Sequence, residues 1–315
     1  MLSKNLLGKL TIILQGFVMG IAEIIPGVSG STLALTMGIY DDLINFLNQI
    51  SDLIKVFIKL IFKKASLRNL KSAFTEIDFK FGIFLSFGGV LAVILLSNVL
   101  EDLVESNKQY VYAFFFGLII SSLYIPFKEI KVKNFKTFSI FIVTFILSFL
   151  ILGIQPAQDV VQPSALFMFV AALIAVCGMV LPGVSGSFIL LLLGLYQYIL
   201  SCIKALTRLS IQSNDLLNIV IFAIGLVLGF SVFVKFLKIA FTKASDYVLS
   251  FLLGLMLSST RVLWPFIEKV NGEYLPKNPW EMQLNELTII VIIIAISIFA
   301  VFLISRMNVK EIENI

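Results

Sequence analysis

The six residues Pro-Gly-Val-Ser-Gly-Ser occur twice, at Pro26–Ser31 and Pro182–Ser187. Each copy lies in the middle of an apolar stretch, Leu10–Leu47 and Ala165–Ile203. Proline removes a helix donor and two glycines weaken helix propagation, so each stretch breaks at its centre. The chain as a whole is 59% hydrophobic and only 14% charged, with a mean hydropathy of +1.03. Soluble domains are nearer half apolar and a quarter charged. These figures exclude a soluble enzyme, a disulfide-stapled secreted domain and a disordered chain. The apolar runs are continuous and too long for the alternating strands of a membrane β-barrel. What remains is a polytopic helical membrane protein whose backbone leaves the helical state twice at membrane depth.

The first arm of the first stretch, Leu10–Ile25, has sixteen residues, about 24 Å as helix. A hydrocarbon core needs about 30 Å. A re-entrant hairpin is therefore expected at each break rather than two crossings. Six charge-free runs are expected to span: Phe81–Leu100, Tyr110–Phe127, Thr137–Ile154, Leu216–Val234, Tyr247–Phe266 and Leu287–Ser305.

The repeat extends beyond the hexapeptide. A shift of 156 residues carries Pro26 onto Pro182, Gly38 onto Gly194 and Tyr40 onto Tyr196. A second echo places Phe114–Ser122 on Phe251–Ser259. Two homologous halves follow, residues 1–154 and 155–315, each with one hairpin and three spanning helices.

Basic residues orient the halves. Lys55, Lys59, Lys63, Lys64, Arg68 and Lys71 follow the first hairpin, and Lys128, Lys131, Lys133 and Lys136 follow the second span. Placing both segments in the cytoplasm puts 18 basic residues inside and 6 outside, out of the 24 in the chain. Both termini are then cytoplasmic, and the hairpins enter from opposite sides. The expected fold is an all-α multi-pass membrane protein with an inverted-topology repeat, six transmembrane helices and two opposed re-entrant helical hairpins. Secondary transporters share this architecture. Lys55, Lys59 and Lys63, four apart among apolar residues, suit an interfacial connector helix.

Several residues stand out as candidates for chemistry. At each tip the amides and hydroxyls of Gly27, Val28, Ser29, Gly30 and Ser31, and of Gly183, Val184, Ser185, Gly186 and Ser187, open a second helical arm. Such a terminus favours an anion; the plainer role is close packing. Glu23 lies deep in the first arm, where a carboxylate is costly and therefore a coupling candidate. A structural clamp on the freed amides is the alternative. Its repeat partner is Met179. Arg261 offers a planar fork suited to a phosphate, or simply snorkels to the interface. Ser121, Ser122, Ser258 and Ser259 lie near mid-helix and line a polar path or bond between helices. The chain has no histidine, which removes the commonest general base and metal ligand. Cys177 and Cys202 match no metal or disulfide pattern.

The paired motif, Glu23–Thr32 with Gly38-Ile-Tyr40 and again Pro182–Tyr196, resembles the bacterial polyprenyl-phosphate transporters of the PopT type. Gly254–Pro265 resembles that family's second signature, and the likeness covers essentially the whole chain. The resemblance implies return of undecaprenyl phosphate from the outer to the inner leaflet of the bacterial plasma membrane. Undecaprenyl-diphosphate phosphatases share part of the pattern, through Gln15, Glu23 and Pro26–Ser31. Where their motif carries arginine, this chain has Gly30 and Gly186. A small-anion carrier is a third reading. Transport is ranked above catalysis, so no catalytic residue, metal or cofactor is expected. Coupling to a proton or sodium gradient through Glu23 is the one dependence foreseen. The expected partners are the lipid phosphate and membrane lipids, with no nucleic acid.

Overall fold

The computed structural model describes residues 2–25, 28–63, 66–154, 162–208, 210–270 and 273–312. Pro26 and the candidate Gly27 lie outside the described residues, as does the expected boundary between halves at Gln155. The chain is almost wholly helical. It begins with α1 (Leu2–Ile24), α2 (Gly30–Thr36), α3 (Tyr40–Ile61), α4 (Leu67–Thr75) and α5 (Phe79–Ser122). A short α6 (Tyr124–Glu129) leads to α7 (Phe135–Ile151). There follow α8 (Ala165–Val180), α9 (Gly186–Leu192), α10 (Tyr196–Thr207) and α11 (Ser213–Ser259). Two antiparallel strands, β1 (Ile267–Val270) and β2 (Glu273–Pro276), precede α12 (Leu284–Ile312).

Among the described residues four helices are long and apolar enough to cross a membrane, or five if α9 and α10 count as one bent span. The protein is thus a multi-pass membrane protein. The boundaries differ from the sequence expectation in instructive ways. The expected spans Phe81–Leu100 and Tyr110–Phe127 join as α5, whose 44 residues are broken at Asn107 (φ −138°, ψ 41°). Leu216–Val234 and the start of Tyr247–Phe266 join as α11, whose 47 residues are broken at Ala244 (φ −150°, ψ 42°). At 1.5 Å per residue α11 is about 70 Å long, more than twice a hydrocarbon core. The two breaks lie 137 residues apart, the same shift that carries Gly117 onto Gly254. Asn107 donates to the Ser106 hydroxyl; nothing in the structure explains the break at Ala244.

The expected span Tyr247–Phe266 stops at Ser259. There Ser258, Ser259 and Thr260 turn their hydroxyls onto the carbonyls of Leu255, Met256 and Leu257. Such side-chain bonds compete with helix continuation, and Pro265 lies just beyond. The chain then forms the β1–β2 hairpin, a small exception to an all-α architecture. The first arm also differs. Helix α1 has 23 residues, about 35 Å, so the length argument for re-entry fails there. It holds for α8, with 16 residues.

The repeat is visible in local geometry. Both short helices, α2 and α9, have seven residues and span positions 156 apart. Each ends where a glycine adopts positive φ, 71° at Gly38 and 69° at Gly194. Only glycine takes that conformation without strain. The following helix leaves at an angle, 112° between α9 and α10.

Close helix pairs are made through glycine. A Cβ on Gly20 would lie 2.6 Å from the Gly89 carbonyl, and one on Gly225 would lie 2.9 Å from that of Phe169. These contacts join α1 to α5 and α8 to α11. Helices α7 and α12 instead pack on partners distant in sequence. Gly254 of α11 meets Phe141 and Thr144 of α7, and Gly117 of α5 meets Ile294 and Ser297 of α12. The main core joins both halves, with Ile25, Val28, Leu33, Ile119, Val180, Leu252 and Met256 all buried.

Candidate functional site

The two hexapeptide segments meet at the centre of the chain's packing. The amide of Gly183 donates to Thr32 Oγ1 at 2.8 Å. Tyr40, on the helix after the first tip, donates its hydroxyl to the Val180 carbonyl at 3.1 Å. Gly183 has φ +91°, and a Cβ there would lie 2.6 Å from the backbone of Leu255 and Met256. The second tip therefore rests directly on α11, and the first tip rests on the second.

Each tip closes on itself in the same way. Ser29 and Ser31 hydroxyls lie 2.5 Å apart, and those of Ser185 and Ser187 lie 2.6 Å apart. The helix-preceding serines share extended backbone, with φ −119° at Ser29 and −99° at Ser185. Neither Ser29 nor Ser185 caps its helix with its side chain. Val28, Ser29, Gly30, Ser31, Gly183, Ser185 and Gly186 are buried, while Val184 and Ser187 are half-buried.

The halves differ at one position beside the tip. Glu23 Oε1 accepts the Gly30 amide at 2.9 Å, so the opening of α2 carries a carboxylate of its own. In the second tip the equivalent glycine, Gly186, lies against the Met179 side chain, which a Cβ there would overlap. Both Glu23 and Met179 are exposed side chains. One tip thus has an acid on its amide, and the other has a thioether.

The serine pairs divide. Ser121 and Ser122 bond to carbonyls of their own helix, at Gly117 and Leu118. Ser122 also lies 2.7 Å from Thr36 Oγ1 and so reaches the first tip's short helix. Ser258 and Ser259 are fully buried and satisfied within α11. Arg261 meets the end of α7. Its Nη1 donates to the Phe149 carbonyl at 2.8 Å, and its guanidinium lies 4.5 Å from the Phe149 ring centre. It also rests against Gly153. It therefore secures the end of α7, where unsatisfied carbonyls favour a cation.

Sequence reasoning missed Thr32, Thr36 and Tyr40 as the residues that join the tips to their surroundings. A signal was present. Thr32 follows the hexapeptide in one half where Phe188 follows it in the other, and a hydroxyl among apolar residues needs a partner. Among the described residues no group of three or more acids or cysteines is arranged to hold a metal.

A family model described as undecaprenyl phosphate translocase-like matches residues 19–278, which include both tips, Glu23 and Arg261. The chain belongs to this translocase-like family. It is 34% identical over 271 residues to a protein of Vibrio cholerae named polyprenyl-phosphate transporter, covering 84% of this chain and 82% of that one. A Staphylococcus aureus protein of the same name is 27% identical over 266 residues, covering 80% of this chain and 85% of its own. No solved structure matches this translocase-like chain.

Proposed function

We propose that this protein carries undecaprenyl phosphate from the outer to the inner leaflet of a bacterial plasma membrane. Membership of the translocase-like family supports the substrate. The observation that carries a transport reading is the meeting of the two tips at Thr32 and Gly183. Irregular backbone at membrane depth is tolerated where it is packed in protein or lines a polar cavity.

In this reading the halves are an inverted repeat, with two opposed hairpins and six spans, α5 and α11 each supplying two. Both termini face the cytoplasm. The head group opens the closed Ser185–Ser187 pair, whose tip carries no acid of its own. Glu23 occupies the matching place on the first tip and repels a phosphate unless it holds a proton or a sodium ion. That requirement couples lipid movement to a cation gradient. Arg261 acts from the end of α7 and meets the head group near the external face.

The protein works without chemistry on its substrate. Cleavage of a diphosphate needs preorganised charge and a nucleophile or base. The positions of arginine in the phosphatase motif are Gly30 and Gly186, and the chain lacks histidine. Vesicle reconstitution tests the proposal. Leaflet exchange of labelled undecaprenyl phosphate is expected without phosphate release from the diphosphate. Release without exchange overturns it in favour of the phosphatase reading.

A further inference from the structure

An apolar groove of about 630 Å³ opens between α7, the α6–α7 connection and the second segment of α11. Its floor is formed by the buried residues Ile130, Ser250 and Leu253, and its sides by the exposed rings of Phe127 and Phe138. A smaller hollow of about 190 Å³ shares Phe127 and Leu253 with it and reaches Leu257. Leu253 and Leu257 lie one turn apart on a single face of α11. Between them in sequence lie Leu255 and Met256, on whose backbone Gly183 rests. The groove thus runs from the α6–α7 connection to the turn of α11 that supports the second tip.

The far end of the groove carries a fixed cation. Lys133 lines the mouth beside Asn134, and its Nζ stands 4.0 Å from the Phe127 ring centre. The ion pairs among the described residues are Lys55–Asp52 and Lys277–Glu268, so no carboxylate neutralises Lys133. The connection is itself held in place, since Asp246 accepts the amides of Lys131 and Val132 at 2.8 and 3.2 Å. A long apolar trough with one unneutralised ammonium at its mouth matches an amphiphile with one anionic head and an extended tail.

The corresponding place in the other half is lined by aromatic rings. The 137-residue shift carries Phe116 onto Leu253. Phe116 meets the Trp264 ring edge to face with centroids 5.9 Å apart, and Trp264 in turn meets Phe266 edge to face at 5.1 Å. The groove beside α11 is open, whereas aromatic rings pack edge to face at its counterpart.

We infer that this groove seats the prenyl chain of one lipid phosphate, with its phosphate on Lys133, as a lateral doorway between the bilayer and the tips. The lipid's identity rests on the function proposed above; the groove and its cation do not. The test uses the full-length protein in nanodiscs with a diazirine-bearing farnesyl phosphate as probe. Labelled peptides are expected from α7 and from the second segment of α11. Excess undecaprenyl phosphate should abolish that labelling, and equal phosphatidylglycerol should leave it. Lys133→Glu should lower labelling roughly fivefold, from the loss of about 1 kcal/mol per basic residue near a charged lipid, and Lys133→Arg should retain it. Labelling elsewhere, equal competition by phosphatidylglycerol, or unchanged labelling of Lys133→Glu overturns the inference. Leaflet exchange on the same preparation separates the two claims. Exchange without groove labelling rejects the groove alone, whereas groove labelling without exchange rejects the transport function and leaves a lipid-phosphate site.

Discussion

The buried hydroxyl of Thr32 accepts the amide proton of Gly183 across 2.8 Å, joining two residues 151 positions apart in the chain. Both partners are buried, so neither finds water if the bond is lost. Thr32→Val keeps the shape and removes the acceptor. The unsatisfied Gly183 amide should then cost about 1–3 kcal/mol, and Thr32→Ser should recover most of it. Thermal unfolding in detergent measures the loss. A Thr32→Val protein as stable as wild type would show that the tips are held together by packing alone.

Glu23 can act as a clamp, a coupling acid, or both, and two substitutions separate these roles. Glu23→Gln keeps an oxygen to accept the Gly30 amide and removes the ionisable group. It should fold normally and lose the pH or sodium dependence of leaflet exchange. Glu23→Ala also removes the amide's partner and should cost a further 1 kcal/mol or so of stability. Equal gradient dependence in wild type and Glu23→Gln would make Glu23 a clamp only.

Arg261 joins the turn after α11 to the end of α7. Arg261→Ala should therefore lower stability by about 1.5–3 kcal/mol, the value of a hydrogen bond to a charged group. Arg261→Lys should recover part of it, because a single ammonium reaches one carbonyl but cannot lie flat on Phe149. If Arg261 also meets the head group, exchange falls in Arg261→Lys by more than its unfolding temperature explains. Exchange that tracks stability alone assigns Arg261 to the α7 contact.

Single-cysteine labelling tests the orientation. Lys63→Cys and Lys131→Cys should be protected from an impermeant reagent in intact cells, and Lys269→Cys and Glu281→Cys should react. All four side chains are exposed or lie in exposed turns, so accessibility reports sidedness. The expected external positions Asp159 and Gly272 lie outside the described residues. External labelling of Lys63→Cys would reject the inverted repeat.

Asp42 offers a pH signature outside the candidate membrane spans. Partial burial, and then Asp41 and Asp78, raise its carboxyl above the ordinary 3.8. The folded state therefore holds this proton more tightly than the unfolded chain does. Its contribution to stability is present below the ordinary carboxylate range and is lost as pH rises through the folded value. Asp42→Asn should remove that fall, read as a flatter dependence of the unfolding temperature on pH on the acidic side. Parallel curves for the two proteins would reject the effect.

The sequence alone determined the membrane class and the doubled hexapeptide with its matching flanks. These depend on composition and on identities at fixed spacing, which survive without coordinates. It also marked Gly38 and Gly194 as equivalent, and both adopt the left-handed turn. Tertiary structure alone decided what the tips touch. Thr32 carried no assigned role in the sequence until the Gly183 amide came within reach of it. The pairing of α7 with α11 and of α12 with α5 was equally illegible, because Gly117 and Gly254 permit a close neighbour without naming one. The ends of α5 and α11 followed the same rule. Hydropathy reports which residues avoid water, but a helix in an apolar setting stops where side-chain hydroxyls and a neighbouring segment offer its last carbonyls other partners. Arg261 shows this most plainly: its charge was visible in the sequence, and its place on the Phe149 carbonyl was set by α7, 112 residues earlier in the chain.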